Sequence, residues 1–336
     1  MKTKKALSRI FTLIVLLALI SVVGTACGSS GNSAKNTGAV SEGSNDKTVA
    51  AKEIGELNLG LLTSIDAIPF IIAHEQGFDE KHGVKLNIES FKSAKDRDVA
   101  FHAGKVDGIS ADLIALAIYN EAGLDVKATS TTFGEFDLLT GNADIKEVKD
   151  LQGKTLILSK NTSTEYTAAM MLKQAGLSEK DITVTEVPQI PTRLELLKSN
   201  KSDAAILPEP FVTMGQASGL RVLSSTIQAG VNPFILAFPQ EVISQKSQEI
   251  AAMYAAYDEA VAYMKSHDQS DIIDLIIEEV GYPEEMKNEI KIPEYVPAYQ
   301  VDGEQVKAAF DWAKEKGLLS KDISPEEVIS DVVFKK

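Results

Sequence analysis

The sequence predicts an α/β protein with two lobes of similar plan and a ligand cleft between them. Strands and helices are predicted to alternate along residues 53–238, which is typical of parallel sheets covered by helices. The order strand, helix, strand, helix, strand occurs twice, and similar turns at 104–107 and 200–203 precede the third strand of each unit. A length of 336 residues also fits about two domains.

The individual elements follow from apolar runs, which predict buried strands, and from amphipathic segments that end at glycine, which predict helices. The first unit has predicted strands at 57–62, 84–91, 107–110 and 126–132, and helices at 68–76, 94–103 and 112–121. The second has predicted strands at 154–159, 182–187 and 204–207, and helices at 163–174 and 192–199. After a return strand at 234–238, helices are predicted at 241–265, 271–280, 304–316 and 325–333. We therefore expect lobe 1 to comprise 53–138 and 234–336, and lobe 2 to comprise 139–233.

Composition excludes several classes of function. Lys and Arg number 34 against 48 Asp and Glu, and a net charge of −14 argues against a nucleic-acid-binding protein. Cys27 is the only cysteine, and the four histidines lack the close spacing of a metal-binding helix, so no metal site is predicted. The sequence shows neither a Gly-rich phosphate loop nor a G-x-S-x-G nucleophile elbow. We expect no cofactor and no enzymatic activity.

The first 26 residues are interpreted as a signal peptide. Four basic residues precede an apolar run at 10–23, which is too short for a permanent membrane span. The run ends in small residues directly before Cys27, and this segment resembles a bacterial lipobox, which implies cleavage before Cys27 and lipidation of its side chain. An ordinary cleaved signal beside a chance cysteine is the alternative. Residues 27–52, rich in Gly, Ser, Asn and Thr, then form a flexible linker. The expected location is extracytoplasmic, with a lipid anchor to the membrane.

Candidate ligand-binding residues follow the predicted strands, because ligands of open α/β sheets bind at the carboxyl ends of strands and at helix N-termini. These candidates are small hydroxyl, amide or carboxylate residues: Thr63, Ser64, Asp66, Ser110, Asp112, Thr131, Thr132, Asn161, Thr162, Ser163, Thr164 and Glu209.

Each candidate also has a purely structural interpretation. Thr162 or Ser163 could simply cap the following helix, and Ser110 and Asp112 could cap theirs. Glu209 could accept hydrogen bonds from a ligand or only complement a helix dipole. Phe133 and Phe136 could stack on a flat ligand, but as aromatics they are expected in the core. Arg193 could pair with an anionic ligand, but it is expected to be a solvated helix residue.

Three motifs resemble a known family. The segment IPFIIAHEQGF at 68–78, the segment DLQGK at 150–154 and the segment DAAILPEPF at 203–211 are similar to motifs of the SsuA/THI5 (NMT1-like) substrate-binding proteins of ABC importers. The resemblance implies a two-lobed periplasmic-binding-protein-like fold (type II), with crossing segments near 132–141 and 230–238 that close the lobes on a ligand. It also implies an ABC permease and its ATPase as partners, and we expect a monomer.

The predicted function is therefore solute binding for an ABC transporter. The ligand is expected to be a small polar molecule, sulfonate-, taurine- or nitrate-like, which is delivered to a membrane permease. A binder of a thiamine-pyrimidine or riboflavin-type heterocycle is the first alternative. A sensor ectodomain is another, and a THI5-like enzyme is a third, although the cysteine-rich segment of those enzymes is missing here.

Overall fold

The structure is a computed structural model that describes residues 54–334. The predicted signal peptide, the predicted lipidation site Cys27 and the predicted linker lie outside the described residues. The strands are β1 (Gly55–Leu62), β2 (Val84–Phe91), β3 (Gly108–Asp112), β4 (Val126–Thr131), β5 (Phe136–Thr140), β6 (Thr155–Leu158), β7 (Thr183–Glu186), β8 (Ala204–Pro208), β9 (Arg221–Ser225) and β10 (Phe234–Pro239).

The helices cover the faces of two sheets formed by these strands. They are α1 (Ile68–Glu75), α2 (Phe78–His82), α3 (Ala94–His102), α4 (Leu113–Glu121), α5 (Ser163–Gln174), α6 (Ile190–Lys198), α7 (Phe211–Ala217), α8 (Thr226–Ala229), α9 (Gln240–Gln245), α10 (Ser247–Ser266), α11 (Ser270–Val280), α12 (Gly303–Glu315) and α13 (Pro325–Val328). No helix within residues 54–334 combines the length and apolar character that a membrane span requires.

The two sheets share one topology. The first has the strand order β2-β1-β3-β10-β4, and β1 runs parallel to both β2 and β3. The second has the order β7-β6-β8-β5-β9, and β6 runs parallel to both β7 and β8. In each sheet one strand, β10 or β5, pairs antiparallel with both of its neighbours. We propose that each sheet with its helices forms one lobe, so that β5, which spans the expected 138/139 boundary, belongs to lobe 2.

The repeated turns occupy matching positions in the two sheets. Asp107 precedes β3, and its carboxylate accepts a hydrogen bond from the backbone amide of Asn58 at 2.7 Å. Asp203 precedes β8, and its carboxylate accepts one from the amide of Thr155 at 2.9 Å. Each carboxylate thus fastens the turn to the first parallel strand of its own sheet, β1 or β6, which explains the sequence similarity of the two turns in physical terms.

Both faces of each sheet are buried. Alternate residues of β10 enter different hydrophobic clusters: Leu236 and Phe238 pack with α1 and α10, whereas Ile235 and Ala237 pack with α4 and α12. Side chains of a strand alternate between its faces, so this pattern requires helices on both sides of the sheet.

The chain passes between the sheets at 132–135 and again at 226–233, and each segment contacts the strand that adjoins the other. The amide of Thr132 donates to the carbonyl oxygen of Phe234 at 3.1 Å, and the amide of Phe136 donates to Thr226 Oγ1 at 3.1 Å. The rings of Phe136 and Phe234 lie 4.7 Å apart. Gly134 is needed here, because a Cβ at this position would lie 2.5 Å from the Phe234 ring.

The sequence-based prediction missed some elements and gave others different ends. The sequence did not predict α2, β5, α7 or β9 as separate elements. The single helix predicted at 241–265 is divided at Lys246, whose Nζ is held by the Glu56 carbonyl and the Asp107 carboxylate at 3.1 and 2.8 Å. The last predicted helix ends at Val328, because Ile329 takes an extended conformation and forms a bridge to Ala128.

Candidate functional site

A cavity lies between the two sheets, at the carboxyl ends of their parallel strands. The first lobe contributes residues that follow β1, β3 and β2, and the second contributes the start of α5, the start of α6 and the end of β8. Its wall is formed by Leu62, Ser64, Asp66, Ala94, Asp112, Phe136, Ser159, Thr162, Ser163, Thr164, Pro188, Ile190, Arg193, Pro208 and Phe234. The cavity volume is about 40 Å³, which is room for about three water molecules.

Six of the twelve candidate residues line this cavity. They are Ser64, Asp66, Asp112, Thr162, Ser163 and Thr164, three from each lobe. The other six lie outside its wall: Thr63, Ser110, Thr131, Thr132, Asn161 and Glu209. The carboxyl-end rule therefore named residues of both sheets that meet at this cavity, together with six neighbours that are not part of its wall.

Two of the six candidates outside the cavity wall, Ser110 and Glu209, have structural partners. Ser110 Oγ accepts a hydrogen bond from the Leu62 amide at 3.1 Å, which joins β3 to the end of β1. Glu209 accepts from the amide and the hydroxyl of Thr213 at 3.0 and 2.8 Å, and the Tyr282 hydroxyl lies 3.4 Å from its carboxylate. Burial raises the pKa of Glu209, while its hydrogen bonds from Thr213 and Tyr282 act against the rise. Glu209 thus holds the first turn of α7.

The first turn of α5 forms much of the second-lobe wall. Thr162 is the N-cap, and its hydroxyl oxygen accepts from the Thr164 amide at 3.2 Å. The hydroxyls of Thr162 and Thr164 also lie 2.8 and 2.9 Å from the Ser159 carbonyl oxygen, to which they donate. This network orients the loop before the helix, so that the N-terminus of α5 points at the cavity. Helix N-termini favour negative charge.

The first-lobe wall carries two buried carboxylates. Asp112, 5% exposed, is the N-cap of α4 and accepts from the amides of Ile114 and Ala115, both at 2.9 Å. Burial raises its pKa, whereas the nearby Arg97 charge lowers it. Asp66, 6% exposed, accepts a hydrogen bond from the Ser64 hydroxyl. Burial raises the pKa of Asp66 to about 6, against the opposing effect of that bond.

Arg193 corrects the sequence-based expectation of a solvated helix residue. Its side chain is 2% exposed, with donated hydrogen bonds to the carbonyl oxygens of Ile206 at 2.8 Å and Pro188 at 3.3 Å. Its Nε has no hydrogen-bond partner among the described residues, and no carboxylate of that part of the chain forms an ion pair with it. Burial lowers its pKa to about 10, so the guanidinium remains charged at neutral pH.

A signal for the burial of Arg193 was present in the sequence. Arg193 lies three residues after Ile190 and four before Leu197, and residues with these spacings share one face of a helix. Both apolar residues are buried, so the arginine between them must enter the interior on the same face. Phe136 was correctly expected in the core, and it also lines the cavity.

The lobes contact each other on either side of this cavity. On one side Tyr166 of α5 packs against Trp312 of α12 with ring centroids 5.5 Å apart, and Lys316 pairs with Glu165 at 2.9 Å. On the other side Gln189 donates to the carboxylate of Asp96 at 3.0 Å. These contacts join the two lobes beside the cavity, and a molecule inside it touches both. No group of three acidic, histidine or cysteine side chains within residues 54–334 is placed to hold a metal ion.

Comparison with known proteins agrees with this architecture. The family described as NMT1/THI5 like matches residues 64–269. The chain belongs to the NMT1/THI5-like family. A Bacillus subtilis (strain 168) protein named as an aliphatic sulfonates-binding protein is 24% identical, over 96% of this chain and 96% of its own length. A Brachyspira hyodysenteriae protein named as an ABC transporter periplasmic binding protein is also 24% identical, over 75% of this chain and 72% of its own.

Solved structures show the fold of this family member. The crystal structure of the periplasmic aliphatic sulphonate binding protein SsuA from Escherichia coli superposes with a TM-score of 0.70 at 21% identity, covering 82% of this chain and 92% of that one. The predicted two-lobed periplasmic-binding-protein-like fold is thereby confirmed. A structure titled as the desulfurization enzyme DSZB, 13% identical, superposes with a TM-score of 0.61 over 82% of this chain and 96% of its own. The fold alone therefore does not separate binding proteins from enzymes.

Proposed function

We propose that the protein is the extracytoplasmic solute-binding component of an ABC transporter. In this proposal it captures a small polar molecule, of the sulfonate, taurine or nitrate-like class, and delivers it to a membrane permease that works with an ATPase. The observation that carries the proposal is the enclosed interlobe cavity with a buried guanidinium that lacks a carboxylate partner among the described residues. The names of the two relatives, one sulfonate-binding and one from an ABC transporter, support the same function.

The second-lobe wall supplies the chemistry for an anionic group. Arg193 is a charged donor that is already buried in the folded protein, so a ligand does not have to remove water from it. Hydrogen bonds to charged groups are stronger than those between neutral groups. The N-terminus of α5 adds oriented backbone amides. Binding needs no covalent step, since affinity comes from contacts that form when the two lobes enclose the ligand.

The proposed N-terminal features support a position of this function at the membrane surface. The proposed signal peptide at 1–26, the lipid on Cys27 and the linker at 27–52 would hold the folded body near a permease outside the cytoplasm. A monomer suffices, because one chain supplies both walls of the cavity.

A thermal-shift screen of the purified protein tests the proposed function. The panel contains methanesulfonate, taurine, nitrate, hydroxymethylpyrimidine and riboflavin. A ligand at 100 times its dissociation constant stabilises the folded state by about 2.7 kcal/mol, so we expect a clear rise in Tm with the small anionic compounds. A rise with riboflavin or the pyrimidine alone would overturn the proposed ligand class, and native mass spectrometry of the untreated protein identifies any ligand that copurifies.

A further inference from the structure

The two lobes contact each other unequally on two flanks of the cavity. On the α5 flank, α5 of the second lobe lies against α12 of the first. On the α7 flank, Glu209, which precedes α7 of the second lobe, faces Tyr282, which follows α11 of the first. The contacts of these flanks differ in kind, and the difference indicates how the lobes can move.

One face of α5 is part of the first-lobe core. Tyr166 is 1% exposed and belongs to the hydrophobic cluster formed with α4 and α12, and Ala169 and Met170 pack against the same cluster. The spacing of these three residues places them on one face of the helix. On the other face, Met171 and Leu172 are buried in the core of the second lobe. A single helix therefore packs into the interiors of both lobes.

A charged contact and a crossing segment reinforce the α5 flank. Lys316 Nζ lies 2.9 Å from the carboxylate of Glu165, whose side chain is 4% exposed. Gln174, at the end of α5, donates to the carbonyl oxygen of Ala229 in the second crossing segment at 3.0 Å. Separation of the lobes on this flank would expose the Tyr166 ring and take the Glu165 carboxylate away from its cation, and both changes are unfavourable.

The α7 flank is held more weakly. Its hydrogen bond runs from the Tyr282 hydroxyl to the Glu209 carboxylate at 3.4 Å, which is longer than a typical O–H···O bond. The buried apolar residues around Tyr282 all belong to the first lobe, and those around Val212 of α7 all belong to the second. Within residues 54–334, no hydrophobic cluster thus joins the lobes on this flank. Separation of the lobes here exposes little apolar surface.

From this difference we infer that the lobes rotate about an axis along the α5 flank and the crossing segments, so that the cleft opens at the α7 flank and between α3 and α6. The inference rests on the proposed function, because it describes how the cleft admits a ligand. Between α3 and α6 the lobes are joined by the exposed hydrogen bond from Gln189 to Asp96, which water can replace. The rotation then keeps the buried contacts between the lobes and breaks the weaker ones.

The same axis assigns different movements to the two helices of the second-lobe wall. Leu156 and Leu158 of β6 pack in the cluster of α5, whereas Ile157 packs in the cluster of α6. Side chains alternate between the faces of a strand, so α5 and α6 cover opposite faces of the second sheet. An axis beside α5 therefore moves its first turn little and moves α6 with Arg193 much further. The first turn of α5 meets the ligand in the open form, and closure adds Arg193.

Distances between paired spin labels, measured by double electron–electron resonance, test this axis in the purified protein. Cys27→Ser removes the only cysteine of the sequence, so labels attach only to introduced pairs. The exposed positions Lys173→Cys and Glu315→Cys span the α5 flank, and Gln216→Cys and Glu278→Cys span the α7 flank.

Without added ligand, we expect the pair across the α5 flank to give a single narrow distance that matches the structure. The pair across the α7 flank should give distances that are longer or about twice as widely spread. A match to the structure on both flanks, or a departure from it on the α5 flank, would overturn the inference.

Tyr166→Ala supplies a second measurement. It removes the ring that joins α5 to the first-lobe core, so the distances across the α5 flank should spread as widely as those across the α7 flank. The matched control is Tyr263→Ala, which removes a tyrosine of α10 whose ring contacts lie in the first lobe, and it should leave both distances unchanged. A distance that stays narrow in folded Tyr166→Ala would overturn the role of Tyr166. If this variant does not fold, the distances in the protein with Tyr166 decide alone.

Addition of methanesulfonate or taurine separates this inference from the proposed function. We expect either compound, if it raises Tm in the screen, to shorten the distances across the α7 flank and leave those across the α5 flank unchanged. Distances that differ between the flanks as predicted but respond to no compound of the screen would leave the axis intact and overturn the proposed ligand class.

Discussion

Arg97 and Arg193 are matching residues of the two lobes with opposite environments. Each lies on the helix before the third parallel strand of its sheet, and each donates from Nη1 to a backbone carbonyl thirteen residues further along the chain, at Ser110 or Ile206. Arg97 is followed by Asp98, which pairs with it. Arg193 is followed by the buried Leu194 and has no carboxylate partner among the described residues. The same scaffold position is thus structural in the first lobe and available to a ligand in the second.

The largest expected effect is on the stability of the first lobe. Arg97→Gln removes a buried cation and leaves the partly exposed Asp98 with only its hydrogen bond from Tyr119, so we expect the free energy of unfolding to fall by about 3 kcal/mol. Urea denaturation of the ligand-free protein measures this loss. Arg193→Gln should cost less than about 1 kcal/mol in the same assay, because it removes no ion pair. Equal losses for the two variants would mean that the arginines do not differ in role.

For ligand affinity we expect the opposite ranking, with a larger loss in Arg193→Gln than in Arg97→Gln. Arg193→Gln removes the cation that faces the cavity, so we expect the affinity for the ligand found in the screen to fall a hundredfold or more, about 2.7 kcal/mol. The matched control is Arg221→Gln, an exposed arginine of the second lobe that donates to the carbonyl oxygens of Asn142 and Ile145. Its affinity should stay within twofold of the wild type. A similar loss in both variants would exclude a specific role for Arg193.

Asp137 of the second lobe extends the comparison to a half-buried carboxylate. Burial, with the charges of Glu135 and Glu209, raises the pKa of Asp137 to about 7. The folded state therefore binds this proton more tightly than the unfolded chain, and stability falls as pH rises from about 4 to 7. Asp137→Asn removes this loss, so at pH 8 the variant should be about 1 to 2 kcal/mol more stable than the wild type.

Urea unfolding at pH 4, 6 and 8 measures the contribution of Asp137. The advantage of Asp137→Asn should be near zero at pH 4 and should grow with pH. A constant difference between the variant and the wild type at all three values would show that the Asp137 charge is not the cause.

The smallest expected effect concerns the contact between the lobes at the start of α6. Gln189→Ala removes one hydrogen bond to Asp96 at the exposed edge of the cavity. A hydrogen bond of this kind contributes a net free energy of about 1 kcal/mol or less. Ligand affinity should therefore fall two- to fivefold without a change in ligand preference. Calorimetric titration with the compounds that bind in the thermal-shift screen measures both quantities, and a change in the order of their affinities would show that Gln189 takes part in recognition.

Periodicity in the sequence predicted the parallel strands of both sheets because each buried strand is a short apolar run. It did not predict β5 and β9, which pair with each other although they lie far apart in the sequence. Residues at strand ends were located correctly, but the direction of a side chain there depends on the local turn. Ser110 turns to the Leu62 amide, whereas Asp112, two residues later, reaches the cavity.

Closure of the two lobes on a bound ligand is the central claim, and small-angle scattering tests it most directly. The radius of gyration of the purified protein is measured without ligand and at a saturating concentration confirmed by calorimetry. Without a ligand, burial of the unpaired Arg193 and Asp66 opposes the closed form, so we predict a smaller radius of gyration with ligand and no change in Arg193→Gln at the same concentration. An unchanged radius of gyration in the saturated wild type would contradict the claim.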